Sequence, residues 1–546
     1  IQSREYVWYL ALMSAVESAI DDFGQRNIRI GLFLIAALAA AVRCYIWYMS
    51  PVVNPDGVLY IHQARNFFEG RWGELTSCGL SFFSIYPVLT AMLYPALQDW
   101  VISARIISIL FGTLTVFPVY LAARKVTRRK TALLAAVIFA VLPGAAGAAG
   151  QVVRDLVCWF FIAWGLVFFL HQDERERFRV CLFLSCSAFL LASWARVESL
   201  VFVAASILYL VFFGGNKRVM RTIFFLLPVA GAVVLGIIML ETAGIDVAQA
   251  FRLREVAEKM SAPFLSYASL RKDLRALSTG MEGAPLEGFI SFARHSVWFI
   301  GLFSLFNSIL RALLYFYGIL LAAGLWKLVA SPLRVKGHLY SIVLSFCSFI
   351  LLYFHLIHVW VMDTRFVMIF VIAAFPLIAS GIDAFDEALF RKTALSAKRS
   401  YIFLLAGIML LGIWNDYGFS ERDKMVFRQI GEKISEDSPS GRRNIVAASQ
   451  VSMRWITFYA NAKAVDPPCP QPGWDLKTIA EAGYASFVGN LKSLGASYLV
   501  WDELHWPRNG FDLLKEMYPN DFKEMGRWTH PSTGEMILFK CMFNMQ

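Results

Sequence analysis

Apolar residues in this chain gather into long runs, and charged residues are pushed to the ends of those runs. The runs are Ile28–Tyr48, Ala104–Ala123, Thr131–Ala149, Leu156–Leu170, Arg179–Ser193, Leu200–Phe213, Ile223–Leu240, Leu310–Trp326, Tyr340–His358, Phe366–Ile382 and Ile402–Trp414. They have the length of helices rather than strands, which predicts about eleven membrane spans. The segments 179–193 and 200–213 are short and predict tilt or local thinning of the bilayer. Tyr86–Leu97 and Phe289–Ser308 are apolar but interrupted, and each reads either as an interfacial helix or as an extra span. After Asn415 the pattern changes. Charged residues rise, Pro467-Pro468-Cys469-Pro470 appears, and short helix-like pieces (Val426–Ile434, Leu476–Ala482) alternate with strand-like ones (Asn444–Ala448, Ser497–Trp501). That alternation predicts a small α/β domain. The expected organisation is an N-terminal cytoplasmic segment 1–27, a polytopic α-helical membrane domain 28–415 with outer loops 50–103 and 241–298, and an extracytoplasmic α/β domain 416–546.

Composition agrees with this pattern: 58% of residues are hydrophobic, 46 are Phe and 16 Trp, and the mean hydropathy is +0.56. The first run is too long, and starts too far in, to be a signal peptide. The net charge of +11 does not mark a nucleic-acid binder. Its basic residues sit in short loops: Arg124-Lys125 with Arg128-Arg129-Lys130, Lys217-Arg218 with Arg221, Lys327 with Arg334 and Lys336, and Arg391-Lys392 with Lys398-Arg399. All of these loops fall on one side if the N-terminus is cytoplasmic. The chain is expected in a bacterial cytoplasmic membrane, with the remaining loops and the C-terminal domain facing the periplasm or exterior. The eight Cys show no CxxC and no metal-ligand spacing. Cys469 and Cys541 both lie in the polar C-terminal region, and a disulfide between them stays open.

The outward side then collects the candidate chemistry. Asp56, in Asn54-Pro55-Asp56-Gly57, follows the first span and precedes a helix-like stretch. It reads either as a general base at the mouth of a helix bundle or as the N-cap of a helix from Val58. Arg154 and Asp155 open the fourth span, and Arg196 and Glu198 lie between the fifth and sixth. Each pair reads as a substrate-binding group or as a structural ion pair. Asp363 and Arg365 precede the tenth span, where an Arg can hold a phosphate bidentately. His355 and His358 share a helical face but lack a third ligand for a metal, so no metal site is assigned. The loop 241–298 carries Arg252, Arg254, Lys259, Arg271, Lys272, Arg275 and Arg294, which suits either an anionic ligand or a helix lying on lipid head groups. Walker A, dinucleotide-fold and HExxH patterns are missing from the sequence.

Three stretches together resemble the integral-membrane glycosyltransferases of the GT-C class, in the protein O-mannosyltransferase-like branch that includes the lipid A aminoarabinose transferases. They are Asn54-Pro55-Asp56-Gly57-Val58-Leu59-Tyr60 with Ala64-Arg65-Asn66 and Gly70; Tyr86-Pro87 through Arg124 and on to Ala136; and Arg365-Phe366 with Pro376. The resemblance covers most of 28–400. One departure stands out: many members carry Asp-Glu in the first motif, and here Gly57 follows Asp56. The resemblance implies transfer of a sugar from a polyprenyl-phosphate donor to a glycan, lipid or protein acceptor at the outer face, with inversion. Asp56 would be the base and Arg365, helped by basic-loop residues such as Arg271 and Lys272, would neutralise the departing phosphate. Arg154 and Asp155 would line the pocket. No cofactor is required by this reading, and help from Mg or Mn stays open. The rival reading is a flippase or transporter for lipid-linked sugars, which should show internal symmetry between halves.

Overall fold

The structure, a computed structural model, describes residues 25–172, 177–243, 253–279, 285–329, 332–392, 397–439, 441–471, 473–481, 483–507 and 511–544. Arg252 and most of the N-terminal segment lie outside them. The chain divides into two compact units: one of residues up to Arg43 with 109–148 and 155–418, the other of 44–108, 149–154 and 419–546.

The first unit is a helix bundle. Among the described residues of the whole chain, eight helices are long and apolar enough to cross a membrane, and the bent pair Arg129–Ala140 and Pro143–Gly150 makes a ninth. Shorter apolar helices include Asp155–Leu170, Val197–Phe213 and Phe316–Val329. The most enclosed is Thr364–Lys392, where Val367 through Phe375 and Leu377 through Ile382 are buried. Its Gly381 and the facing Gly324 leave no room for a side chain, and this lets Phe316–Val329 lie backbone to backbone against it. Small residues at membrane helix contacts commonly serve this end.

One expected span is corrected. Leu310–Trp326 is cut by a break at Leu313–Tyr315, where Leu314 and Tyr315 adopt φ of 51° and 56°. The preceding helix, Pro285–Ala312, sits with Gly301 beside Ile357 and Tyr353, near the C-terminal end of Pro332–Val359. After the break, the Tyr317 hydroxyl donates to the Ile408 carbonyl (3.0 Å), midway along Ala397–Tyr417. Farther on, Gly324 reaches Leu377 and Gly381. Pro285–Ala312, which contains Phe289–Ser308, is by itself long and apolar enough to cross a membrane, as an extra span would be.

The second unit joins the first outer loop to the C-terminal residues. Its sheet has the order β1 (Val446–Ala447), β2 (Tyr498–Asp502), β4 (Gly534–Cys541), β3 (Phe522–His530), with β1 parallel to β2 and the other pairs antiparallel. Leu499, Ile537 and Phe539 pack on Phe487 and Leu491 of the helix Tyr484–Ser493. This is the expected small α/β domain. The loop is laced to it by the Val53 amide donating to the Tyr459 hydroxyl (3.0 Å), the Trp455 indole donating to the Val53 carbonyl (2.5 Å), and Ser50 donating to Glu421 (3.0 Å). Ile85–Leu97, thirteen residues long, reaches only about 20 Å and is too short to span.

The open disulfide is also corrected. Cys469 pairs with Cys78 across 391 positions, and Cys541 is a free, buried thiol in β4. Non-reducing peptide mapping should recover the Cys78 and Cys469 peptides linked, with Cys541 alkylated only after denaturation. A Cys469–Cys541 peptide would refute the pairing.

Candidate active site

In the second unit the helix Pro55–Phe68 begins where the sequence supplies a cap and a pre-set φ. Asn54 accepts from the Asp56 amide (2.9 Å) and Pro55 occupies the first turn. Asn54, not Asp56, is therefore the N-cap, and the carboxylate of Asp56 is left for other work. It accepts from Arg454 Nη1 at 3.1 Å, and the other Nη of Arg454 donates to Gln471. The Asp56 side chain keeps 35% of its exposure, at the edge of a cleft of about 160 Å³ lined by Pro55, Gln450, Met453, Arg454, Gln471 and Trp474.

The segment 151–154 runs along the opening turns of this helix. Asn54 bonds Gln151 (3.5 Å), Gly57 abuts Val152, and the Tyr60 ring faces the Arg154 guanidinium (5.8 Å). A Cβ at Gly57 would lie 2.5 Å from the Val152 carbonyl oxygen. This contact explains the glycine at position 57: no side chain fits there. Asp56 and Tyr60, four residues apart, share a helix face, so Arg154 lies along the same line as Asp56. Arg154 is 8% exposed, sits 4.2 Å above the Phe82 ring, and encloses an Nη1 with no hydrogen-bond partner. A buried cation left this way favours an anion beside it. His62, on the same helix, is pushed down to about 4 by burial first and by Arg65 and Arg71 next.

The first unit gathers a different set. Arg196 donates to Asp155 and to Glu198 (3.2 Å), and Lys259 bridges Glu198 (2.6 Å) and Glu255 (3.0 Å). Burial works against the Arg196 charge, but Asp155 and Glu198 outweigh it and hold the guanidinium well above its ordinary value. The guanidinium also lies 4.5 Å over the Phe366 ring, against which His355 packs at 4.8 Å. Sequence left these residues between function and structure; here their charges compensate one another. Arg365 meets Asp363 at 3.3 Å and lies over Phe366. His358 bonds Ser266 (2.8 Å). On the helix Leu253–Thr279, Arg271 lies over Tyr267, and Lys272 is exposed. Among the described residues no three His, Cys, Asp or Glu side chains form a group that could hold a metal.

Sequence reasoning missed Arg454. It opens the helix Met453–Ala460, 398 positions from Asp56, and carries no local mark of its role.

The family described as dolichyl-phosphate-mannose-protein mannosyltransferase matches residues 88–240. No curated protein sequence matches the chain. Among solved structures, an oligosaccharyltransferase from Archaeoglobus fulgidus is similar at 14% identity, over 93% of this chain and 72% of that one, with a TM-score of 0.56. The oligosaccharyltransferase AglB of the same organism, solved with an inhibitory peptide and a dolichol-phosphate, is similar at 12% identity over 93% and 74%, TM-score 0.52. ArnT from Cupriavidus metallidurans, bound to undecaprenyl phosphate, is similar at 13% identity over 93% and 97%, TM-score 0.54. The chain shares the helical membrane fold of these structures, and its residues 88–240 match the mannosyltransferase family.

Removing Arg196 strands the buried carboxylate of Asp155, while Glu198 keeps Lys259, so Arg196→Ala should cost about 3–5 kcal/mol. Lys259→Ala, at a site 40% exposed, should cost under about 1 kcal/mol. Thermal melts in detergent compare the two. Between pH 6.5 and 4 the unfolded chain binds a proton that folded His62 refuses. Stability should therefore fall as pH drops through that window, by about 3 kcal/mol, and His62→Gln should flatten this limb of the pH–stability curve.

Proposed function

We propose that the chain is a glycosyltransferase that moves a sugar from a polyprenyl-phosphate donor to an acceptor, with Asp56 as general base. The observation that carries this is the Asp56 carboxylate, held by Arg454 at a cleft edge, on the helix line that leads to the uncompensated Arg154. The GT-C fold and the lipid phosphates bound by the similar AglB and ArnT structures support a lipid-linked donor. Hexosyl and pentosyl donors and glycan, lipid and protein acceptors all fit the reading.

In the proposed step an acceptor oxygen or nitrogen attacks the anomeric carbon as its proton passes to Asp56. The bond from that carbon to the phosphate oxygen breaks, and the electron pair leaves with the lipid phosphate. Attack from the opposite side inverts the centre. Arg454 orients the base, and Arg154 supplies fixed positive charge for the departing phosphate. This role falls to Arg154 because its Nη1 is unsatisfied, whereas Arg365 already meets Asp363. Asp155, Arg196 and Glu198 form the supporting wall of the bundle. The reading places the site on the outer face of a bacterial cytoplasmic membrane. The common side of the basic loops supports this, as does the Cys78–Cys469 bond in the unit that holds Asp56, since disulfides persist in oxidising compartments.

The test is sugar transfer from a panel of polyprenyl-phosphate sugars by purified protein supplied with native membrane extract. Asp56→Asn should lower kcat by about 10²–10⁴-fold, and Arg154→Gln by about 10²-fold, with both variants still folded. Undiminished transfer by Asp56→Asn would remove it as base. No transfer from any donor, with lipid-linked sugar crossing proteoliposome membranes, would establish the flippase instead.

A further inference from the structure

On the helix Pro55–Phe68, Arg65 lies nine residues beyond Asp56. Nine steps of 100° make two and a half turns, so the two side chains leave opposite faces. Arg65 enters a second cavity of the same unit, about 710 Å³ in volume, which shares no lining residue with the Asp56 cleft. Its guanidinium lies 5.9 Å from the ring centroids of Trp100 and of Phe458, and Trp100 stacks on Tyr94 at 3.7 Å. The Arg65 Nε is enclosed with no hydrogen-bond partner. Burial pulls the guanidinium below its ordinary value against the opposing pull of Glu69, Tyr94 and Asp99.

The other charged groups of the cavity are already engaged. Glu69 pairs with Arg71 (2.6 Å), and Glu432 pairs with Arg428 (2.7 Å). Asp99 accepts from the Ile102 amide (2.8 Å). Arg428 also donates to the Pro51 carbonyl (3.2 Å), and Arg105 to the carbonyls of Ser50 (2.6 Å) and Val52 (3.2 Å). The lining balances three guanidiniums, Arg65, Arg105 and Arg428, against three carboxylates, Glu69, Asp99 and Glu432, and Arg65 is set apart by its aromatic flanks and its enclosed, unbonded Nε.

The walls also fix the level of the cavity. Trp47 lies at the outer end of the candidate span Arg26–Met49, and Trp100, Val101 and Ile102 begin the span Trp100–Val126. Phe68 and Ile102, on the lining, and nearby Leu97 expose apolar surface. Trp and Tyr at span ends mark the depth of lipid head groups.

We propose that this cavity binds the phosphate head group of an anionic lipid. Arg65 meets the phosphate, Trp100 and Phe458 sheathe its charge, and the acyl chains leave past Phe68 and Leu97. The site does not rest on the role given to Asp56.

The test is lipid binding by the full chain in detergent, read by native mass spectrometry and by thermal shift. The probes are phosphatidic acid, phosphatidylcholine and inorganic phosphate. Phosphatidic acid should bind and raise the melting temperature, and phosphatidylcholine should bind at least tenfold more weakly. Arg65→Gln should lose phosphatidic acid binding by tenfold or more, Arg65→Lys should retain part of it, and Asp56→Asn should retain all of it. Arg65→Gln removes a half-buried cation whose Nε has no hydrogen bond, so without lipid it should melt no lower than the parent chain. Should it unfold, Trp100→Ala gives the second reading and should weaken phosphatidic acid binding. Equal phosphatidic acid binding by the parent and Arg65→Gln, or equal binding of the two lipids, would overturn the proposal. Inorganic phosphate that matches phosphatidic acid in affinity would overturn the lipid as its source.

Discussion

The candidate chemistry depends on one clamp, the attachment of the first outer loop to residues that follow the last span. Asp56 is flanked in sequence by Pro55 and Gly57, and among the described residues no group of three His, Cys, Asp or Glu could hold a metal. Arg454 reaches its carboxylate because Val53, Trp455 and Tyr459 exchange hydrogen bonds, and because Cys78 is bonded to Cys469. Arg71, bonded to Asp466 at 2.5 Å, secures the same seam from the other end of the helix. A hydrogen bond is worth about 1 kcal/mol net, so the seam holds by number and by the covalent link. Its effect is positional: it sets a carboxylate within half an ångström or so of a fixed geometry, which a free loop could not do.

Charge is handled differently in the two units. In the bundle, Arg196 is matched by carboxylates, and such a buried network costs desolvation while it fixes which helices meet. In the second unit Arg154 and Arg65 rest on aromatic rings. Rings attract a cation without neutralising it. A guanidinium held that way keeps its positive charge for something that arrives later, whereas one held by carboxylates has spent it.

Much of the fold could be read from the sequence because bilayer thickness forces apolar runs of fixed length. Ten of the eleven expected spans fall on helices of the structure. The exception had no signal: Leu313-Leu314-Tyr315 carries neither Gly nor Pro, so nothing local announced a left-handed break. Asp56 stood out because a lone carboxylate after a span, behind Asn-Pro, is poor packing material. Arg454 did not, since a contact across 398 positions leaves no trace in spacing. The cysteines stayed open for the same reason. Cys469 and Cys541 both lie in the polar region, but Cys541 points into the sheet core and the partner of Cys469 lies ahead of nearly every span. Gly57, which looked like a lost carboxylate, is required by the Val152 backbone.

The Cys78–Cys469 link also has a meaning in time. Ribosomes deliver Cys78 and Asp56 before, and Cys469 and Arg454 after, almost the whole membrane domain. Until the residues beyond the bundle emerge, the first loop lacks the segment it is bonded to. Asp56 is therefore seated only after the bundle has been made, and a chain cut short inside the bundle could insert its helices yet never assemble the cleft beside Asp56. Passage of the ribosome through the bundle is built into the geometry as the condition for having this cleft at all.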